Sequence, residues 1–482
     1  MIKQLTRPTA VGIFAAAGLY LLLLAGPAKV TDSRAEPHPA PETEQVDASA
    51  SQPKQSTPDR IGITAIEREL GITAPTGRTI RFAHVEGAPG NYMPNERHAL
   101  FDGVQFVAVT GQREFNGHPQ ATATVLYGKQ SLAPGVTDVH FYAANLWMMN
   151  AYLKAISPYP PMVNDRQVFT HSWIGGETPM AADVLRRADY QIDTHDVHMV
   201  VGVNNGKQSA VPVLMASAYN VIAVGQGGGQ SSGGYTVFEG DGRCKPDIAG
   251  SGSKTSFTTP AVAAIVARLL EAAQTHTDEV DEGGNKLAAR AEVIKAVLMA
   301  GAEKLPGWKQ VDDHPLDEHL GAGYARFDHS FHILAAGAVQ PGRVRQARAW
   351  AFEQLDADQQ HAYTFDLTEP MGEASIMLVW NRRILGEQRP IANTEHVRWA
   401  TDPRLADFNL RLVHIDALGK QREFALSASK VDNVEHIYLP DLPEGRYRIE
   451  VERADELDET WDYALAWRIE PPAEPEATTP AD

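Results

Sequence analysis

Hydrophobic positions divide the chain into three textures. The first is one apolar run over about 9–25, containing Leu21-Leu22-Leu23-Leu24 and preceded by Lys3 and Arg7. A basic start followed by such a run predicts an export signal or an uncleaved anchor over 1–28. The second texture covers about 60–342 and mixes short apolar runs with longer stretches at helical spacing. Residues 79–85 alternate toward Glu86-Gly87. Met199-Val200-Val201-Gly202-Val203 is apolar throughout and ends at Asn204-Asn205-Gly206, which predicts a buried parallel strand and a turn. After Ser256, residues Val262, Ile265, Val266, Leu269 and Leu270 recur with a helical period and predict a buried helix. Residues 293–299 predict a second core helix. Ile63, Ile66 and Leu70 share one face of a short helix, and the Met/aromatic stripe over 141–149 predicts helix core. The third texture starts near Val344. Short alternating runs at 361–367, 374–380, 410–415, 436–439 and 447–451, separated by turns such as Pro443-Glu444-Gly445, predict a β-sandwich over 343–470. The change of texture predicts that this module is separable after about Gly342.

Composition adds to this picture at the ends of the chain. Residues 29–59 contain no Phe, Tyr or Trp and are rich in Pro, Glu, Ser, Ala and Gln, which predicts a disordered spacer. No Lys or Arg follows Arg468, and 471–482 reads as a disordered acidic tail. The net charge of −18, from 43 basic and 61 acidic residues, points away from a nucleic-acid partner. A single cysteine, Cys244, excludes intrachain disulfides and is expected to be a buried small residue. No EF-hand loop is present, and neither a metal nor another cofactor is expected.

Ser256 is the first candidate for chemistry. It follows Gly250-Ser251-Gly252-Ser253 and opens the predicted helix within Thr255-Ser256-Phe257-Thr258-Thr259-Pro260-Ala261-Val262-Ala263. Unpaired N–H groups and the positive dipole end at such a helix start stabilise an oxyanion beside the hydroxyl. An ordinary N-capped core helix would carry the same serine. The stretch resembles the nucleophile motif of the subtilisin-like serine proteases, Gly-Thr-Ser-x-Ala-x-Pro-x-Val-Ala. Thr255, Ser256, Pro260, Val262 and Ala263 match, while Lys254 stands for Gly and Thr258 for Ala.

Other blocks resemble that family in its chain order of acid, His and Ser. Asn116-Gly117-His118-Pro119-Gln120-Ala121 is similar to the block of the catalytic histidine, with Gln120 in place of Thr. Phe82-Ala83-His84-Val85-Glu86-Gly87 is similar to the first core strand, with Glu86 where the family has Asp. A glutamate still accepts from the imidazole N–H and fixes its tautomer. His84 and Asp102 are rivals for the third member. The resemblance implies an oxyanion amide at Asn204, with Asn205 as its neighbour, and a substrate-binding strand at Ser172, Trp173, Ile174 and Gly175. There an extended peptide would pair with exposed backbone. Residues 218–225, 245–249 and 320–325 are similar to further core segments, and the likeness covers about 78–340.

The resemblance therefore implies an α/β fold, a subtilisin-like doubly wound parallel sheet over 60–342, followed by the jelly-roll or prepeptidase-like β-sandwich. It implies an exported serine endopeptidase acting on proteins or peptides, periplasmic or secreted, with membrane contact only through an N-terminal anchor. The length before residue 78 is expected to hold no folded inhibitory propeptide. Two rivals remain. Gly229-Gln230-Ser231-Ser232-Gly233 matches the Gly-x-Ser-x-Gly elbow of esterases, which must join a strand to a helix. The departures at Glu86, Gln120 and Lys254 also suit a catalytically degenerate relative that only binds peptide.

Overall fold

The computed structural model describes residues 56–472, apart from 88–90, 112, 241, 282–283, 285, 312–313, 345, 393–394 and 396. The apolar segment at 1–28, most of the expected spacer and most of the acidic tail lie outside the described residues. The last residues assigned to the spacer are helical instead, as Thr57–Arg60 capped by the Ser56 hydroxyl. Ile63–Leu70 forms the predicted short helix and buries Ile63 and Ile66.

Seven parallel strands build the first sheet: β1 (Phe82–Glu86), β2 (Gln105–Ala108), β3 (Asp138–Ala143), β4 (Val168–His171), β5 (His198–Gly202), β6 (Ile222–Gln226) and β7 (Ile248–Gly250). Their order is β2-β3-β1-β4-β5-β6-β7. Strands β1, β4, β5 and β6 are buried along their whole length, as a parallel sheet covered on both faces requires. Side chains alternate between the faces. Phe82, Val168, Val200 and Val224 pack toward the helix Thr255–His276. Ala83, Val85, Phe169 and Val201 pack toward the helix Ala181–His195. The sheet is doubly wound, as the resemblance implied.

That strand order places a crevice. From β1 the chain moves to β2 and returns through β3; from β4 it moves in the opposite direction through β5 and β6. The connections therefore diverge between the carboxyl ends of β1 and β4, the place where open α/β sheets bind ligands. Glu86 ends β1 and His171 ends β4.

The stripe over 141–149 is not one helix. Phe141 and Tyr142 complete β3, a short helical turn follows at Ala144–Leu146, and Trp147–Ala151 winds as a π-helix. Parallel pairing of β3 with β1 decides the first part, because His84 lies opposite Phe141 and Val85 opposite Tyr142. Sheet pairing overrides a helical apolar period there.

From Gly342 two sheets of five and four strands, antiparallel except where Gly342–Arg343 pairs in parallel with Gln360–Leu367, face each other over an aromatic and aliphatic core, which is the predicted sandwich. All five predicted runs are strands, joined by Gly342–Arg343, Arg348–Leu355, Gln421–Ser427, Trp461–Glu470 and a separate two-stranded hairpin, Arg383–Pro390 with Val397–Arg404, whose Trp399 packs against Tyr190 of the helix Ala181–His195. The four-stranded sheet is buried on both faces. Ile376, Leu378, Tyr463, Leu465 and Trp467 enter the sandwich core. Met377, Val379, Ala464 and Ala466 enter the core of the α/β layer, beside the helix Ala291–Ala300. The described residues, 56–472, accordingly belong to one compact unit.

Candidate active site

Glu86 follows Phe82 and His84 on the face of β1 turned toward the long helix. It is buried beneath the helix Gly117–Leu126, which Asn116 caps; the Asn116 side chain accepts from the His118 N–H at 2.8 Å. That cap fixes His118 in the first helical turn, with its side chain about two-fifths exposed at the crevice. His118 Nδ1 lies 2.8 Å from Glu86 Oε2. The other carboxylate oxygen, Oε1, accepts from the Thr122 hydroxyl at 3.0 Å and lies 2.9 Å from His84 Nε2.

These contacts set the charges. Burial pushes the Glu86 pKa up, but hydrogen bonds from His118 and His84 outweigh it and hold the carboxyl at about 2. The bond to Glu86 raises the His118 pKa above 6.5 against a smaller desolvation effect. The pair is thus an ionised carboxylate orienting a partly exposed imidazole.

Ser256 is the second residue of the helix Thr255–His276 and half-buried at its N-terminus. Its carbonyl accepts from the Ser172 hydroxyl at 3.2 Å, which ties the helix start to the residue following β4. Gly202, at the end of β5, allows the approach of that helix. A Cβ there would stand 2.8 Å from the Thr259 hydroxyl. The Asn205 side-chain oxygen accepts from the Thr255 N–H at 2.8 Å and from its hydroxyl at 3.1 Å. Asn204 engages through its main chain: its N–H donates to the Ser232 hydroxyl at 3.0 Å and its carbonyl accepts from the Ser232 N–H at 2.8 Å. The carboxamide brought to the helix start is therefore that of Asn205. Among the described residues no hydrogen bond joins Ser256 to His118.

The expected substrate strand leaves the sheet after His171. Gly175 bridges to Leu214, with Leu214 N–H donating to the Gly175 carbonyl at 2.9 Å. Between them Ser172 is buried, Trp173 lies against Gly87, and Ile174 is 48% exposed. Among the described residues, Ser172, Trp173 and Ile174 make no backbone–backbone hydrogen bonds, so this extended segment retains free groups.

The rival candidates fall elsewhere. Asp102 is exposed and pairs with Lys129 at 2.8 Å, not with His118. Ser231 and Ser232 are completely buried in a loop. Their hydroxyls accept from the Gln226 and Asn204 N–H groups, so neither is an elbow nucleophile. Cys244 is buried, and its thiol pKa is pushed far up by burial. The long helix Thr255–His276 is apolar enough to cross a membrane, but most of it is buried inside the fold as a core helix.

No protein-family profile and no curated protein sequence matches the chain. The chain is structurally similar to subtilisin-like proteases. The solved structure of the subtilase cytotoxin SubAB assembly aligns with a TM-score of 0.41 at 16% identity, over 58% of this chain and 96% of that one. Fervidolysin from Fervidobacterium pennivorans, a keratinolytic enzyme related to subtilisin, aligns at 0.37 and 14% identity, over 79% and 69%. The serine protease MycP1 of a type VII secretion system aligns at 0.33 and 12% identity, over 57% and 87%.

Proposed function

We propose that the chain is an exported serine endopeptidase with Glu86, His118 and Ser256 as its triad. The observation that supports this most is the 2.8 Å contact between Glu86 Oε2 and His118 Nδ1 in the crevice at the carboxyl end of β1. In this reading His118 Nε2 takes the proton from Ser256 Oγ as that oxygen attacks the scissile carbonyl. Glu86 holds the tautomer with Nδ1–H and stabilises the imidazolium. The tetrahedral oxyanion receives hydrogen bonds from the Ser256 N–H at the helix start and from the Asn205 NH₂. His118 then gives its proton to the leaving amine, and water releases the acyl group by the reverse steps. An extended peptide pairs with the free backbone of Ser172, Trp173 and Ile174. The Ser256–His118 bond forms when substrate closes the site, as catalytic bonds often do.

A second reading, a peptide-binding module that no longer cuts, draws on the missing Ser256–His118 bond. Treatment of the folded protein with a fluorophosphonate, followed by peptide mapping, separates the two. Labelling of Ser256 is expected. A folded protein that takes no label at Ser256 would leave the binding module, and a label on Ser231 would revive the esterase.

A further inference from the structure

A glutamate has one more rotatable bond than an aspartate, so a carboxylate in this position needs an anchor besides the imidazole it orients. One is visible behind Glu86. His84 stands two residues earlier on β1, so both side chains leave the same face of the strand. It is completely buried, its ring stacked on Phe141 at 4.7 Å between centroids. His84 Nδ1 lies 2.8 Å from the Tyr127 hydroxyl, and His84 Nε2 lies 2.9 Å from Glu86 Oε1. Glu86 is ionised and can only accept, so His84 Nε2 carries a hydrogen that faces the carboxylate, while the fully buried Tyr127 hydroxyl holds the other ring nitrogen.

We propose that His84, oriented by Tyr127, is a positioning residue that locks Glu86 Oε1 and thereby presents Oε2 to His118. The inference rests on the protease reading above. The groups that face Glu86 are His84 on its own strand, His118 and Thr122 from the helix Gly117–Leu126, Tyr127 just beyond that helix, and His171 from β4. His171 has both ring nitrogens buried without a partner, and burial pushes its pKa down to about 3. It carries no charge near neutral pH. His84 is therefore the imidazole that backs the carboxylate, with Thr122 adding one neutral bond.

The test uses the full chain and two variants, Tyr127→Phe and His84→Gln. The His118 ring titration is followed by nitrogen-15 NMR, alongside kcat/KM against pH. Loss of the clamp lets Glu86 drift from His118, so the His118 midpoint should fall by about half to one pH unit toward its ordinary value. The acid limb of kcat/KM should move with it. Pure packing roles would lower Tm and leave the His118 titration unmoved, and that result overturns the proposal. If His84→Gln does not fold, Tyr127→Phe decides alone, since it removes only a hydroxyl. The titration does not depend on turnover. A chain unlabelled at Ser256 whose His118 midpoint still falls sinks the protease reading and keeps the clamp; an active chain with an unmoved midpoint sinks the clamp alone.

Discussion

The side-chain oxygen of Asn205 caps the Thr255 amide at 2.8 Å, one residue before Ser256. With the oxygen engaged, the NH₂ is the end of the carboxamide free to face a developing oxyanion. Asn205→Ala is expected to lower kcat about 10²- to 10³-fold with little change in KM. Asn205→Asp keeps the acceptor for Thr255 but replaces the donor, and should be as damaging. Asn204→Ala, which leaves the main-chain bonds to Ser232 intact, should stay within a few fold of the parent. Steady-state kinetics on a peptide pool decides it, and the reverse ranking would return the role to Asn204.

The pH profile should report His118 and not Glu86. The Glu86 carboxyl is held at about 2, so it stays ionised across the working range, while Glu86 keeps the His118 pKa above 6.5. Catalysis needs neutral His118, so kcat/KM should fall as pH drops through a midpoint above 6.5. Stability runs in opposite senses. The depressed Glu86 pKa stabilises the fold above 4.5 and is lost as pH falls toward 2; the raised His118 pKa stabilises below 6.5 and is lost as pH rises through its folded value. Glu86→Gln should cost about 10⁴ in kcat, because an amide can favour the wrong tautomer, and should bring the His118 midpoint down, because the carboxylate that raises it is gone. Glu86→Asp should be milder. Near-parent activity of Glu86→Gln would remove this carboxylate from the site.

Much of this arrangement is legible in the sequence, for reasons that differ by element. The run at 199–203 announces a core strand because parallel strands need apolar side chains on both faces, and the alternation at 79–85 announces the strand that ends at Glu86. Glu86 and His118 are found through short motifs whose order survives in the chain. The choice between Asn204 and Asn205 is not legible, because it depends on a cap to Thr255, 50 residues away. Nor is the His84–Tyr127 pair, since a buried histidine and a buried tyrosine carry no local signal of their partnership. Trp461–Glu470 escapes an alternation search because both its faces are buried, so Tyr463-Ala464-Leu465-Ala466-Trp467 shows no polar side. The Phe141 stripe misleads because its helical apolar period is answered by pairing with β1.

Asp193 offers a test of the acidic layer around the helix Ala181–His195. Desolvation, with Asp462, Asp196 and Asp189 nearby and Arg383 opposing them, lifts the pKa of half-buried Asp193 from 3.8 to about 7. A carboxyl with a raised folded pKa stabilises the fold when protonated, and that contribution is lost as pH rises from 3.8 through 7. Asp193→Asn does not titrate. Its Tm advantage over the parent should therefore be small at pH 5 and larger at pH 8. A Tm difference that does not change between those two pH values would show that the fold does not raise the Asp193 pKa.

The texture change at Val344 suggests a chain that can be cut after Gly342, but the packing predicts otherwise. Every residue of Ala291–Ala300 is buried, and part of its cover is the outer face of the four-stranded sheet, through Met377, Val379, Ala464 and Ala466. Polar bonds cross the same boundary. Arg468 donates to the Ala300 carbonyl at 3.0 Å and the Ala302 carbonyl at 3.2 Å. Asn220 and Arg382 exchange two bonds of 2.8 Å, and Arg382 pairs with buried Asp189 at 2.6 Å. Removing the sandwich would take the Arg468 donors from these carbonyls and the Arg382 guanidinium from Asp189, leaving that carboxylate to the Tyr219 and Asn220 N–H groups, besides exposing the apolar helix. Each large apolar side chain returned to water costs about 1.5–3 kcal/mol, and a whole domain has only about 5–15 to lose. Truncation after Gly342 should therefore give an aggregating chain with no cooperative melt, and Arg468→Met in the full chain should lower Tm without touching kcat. A soluble 56–342 fragment that melts cooperatively near the parent temperature would show that the two layers fold independently.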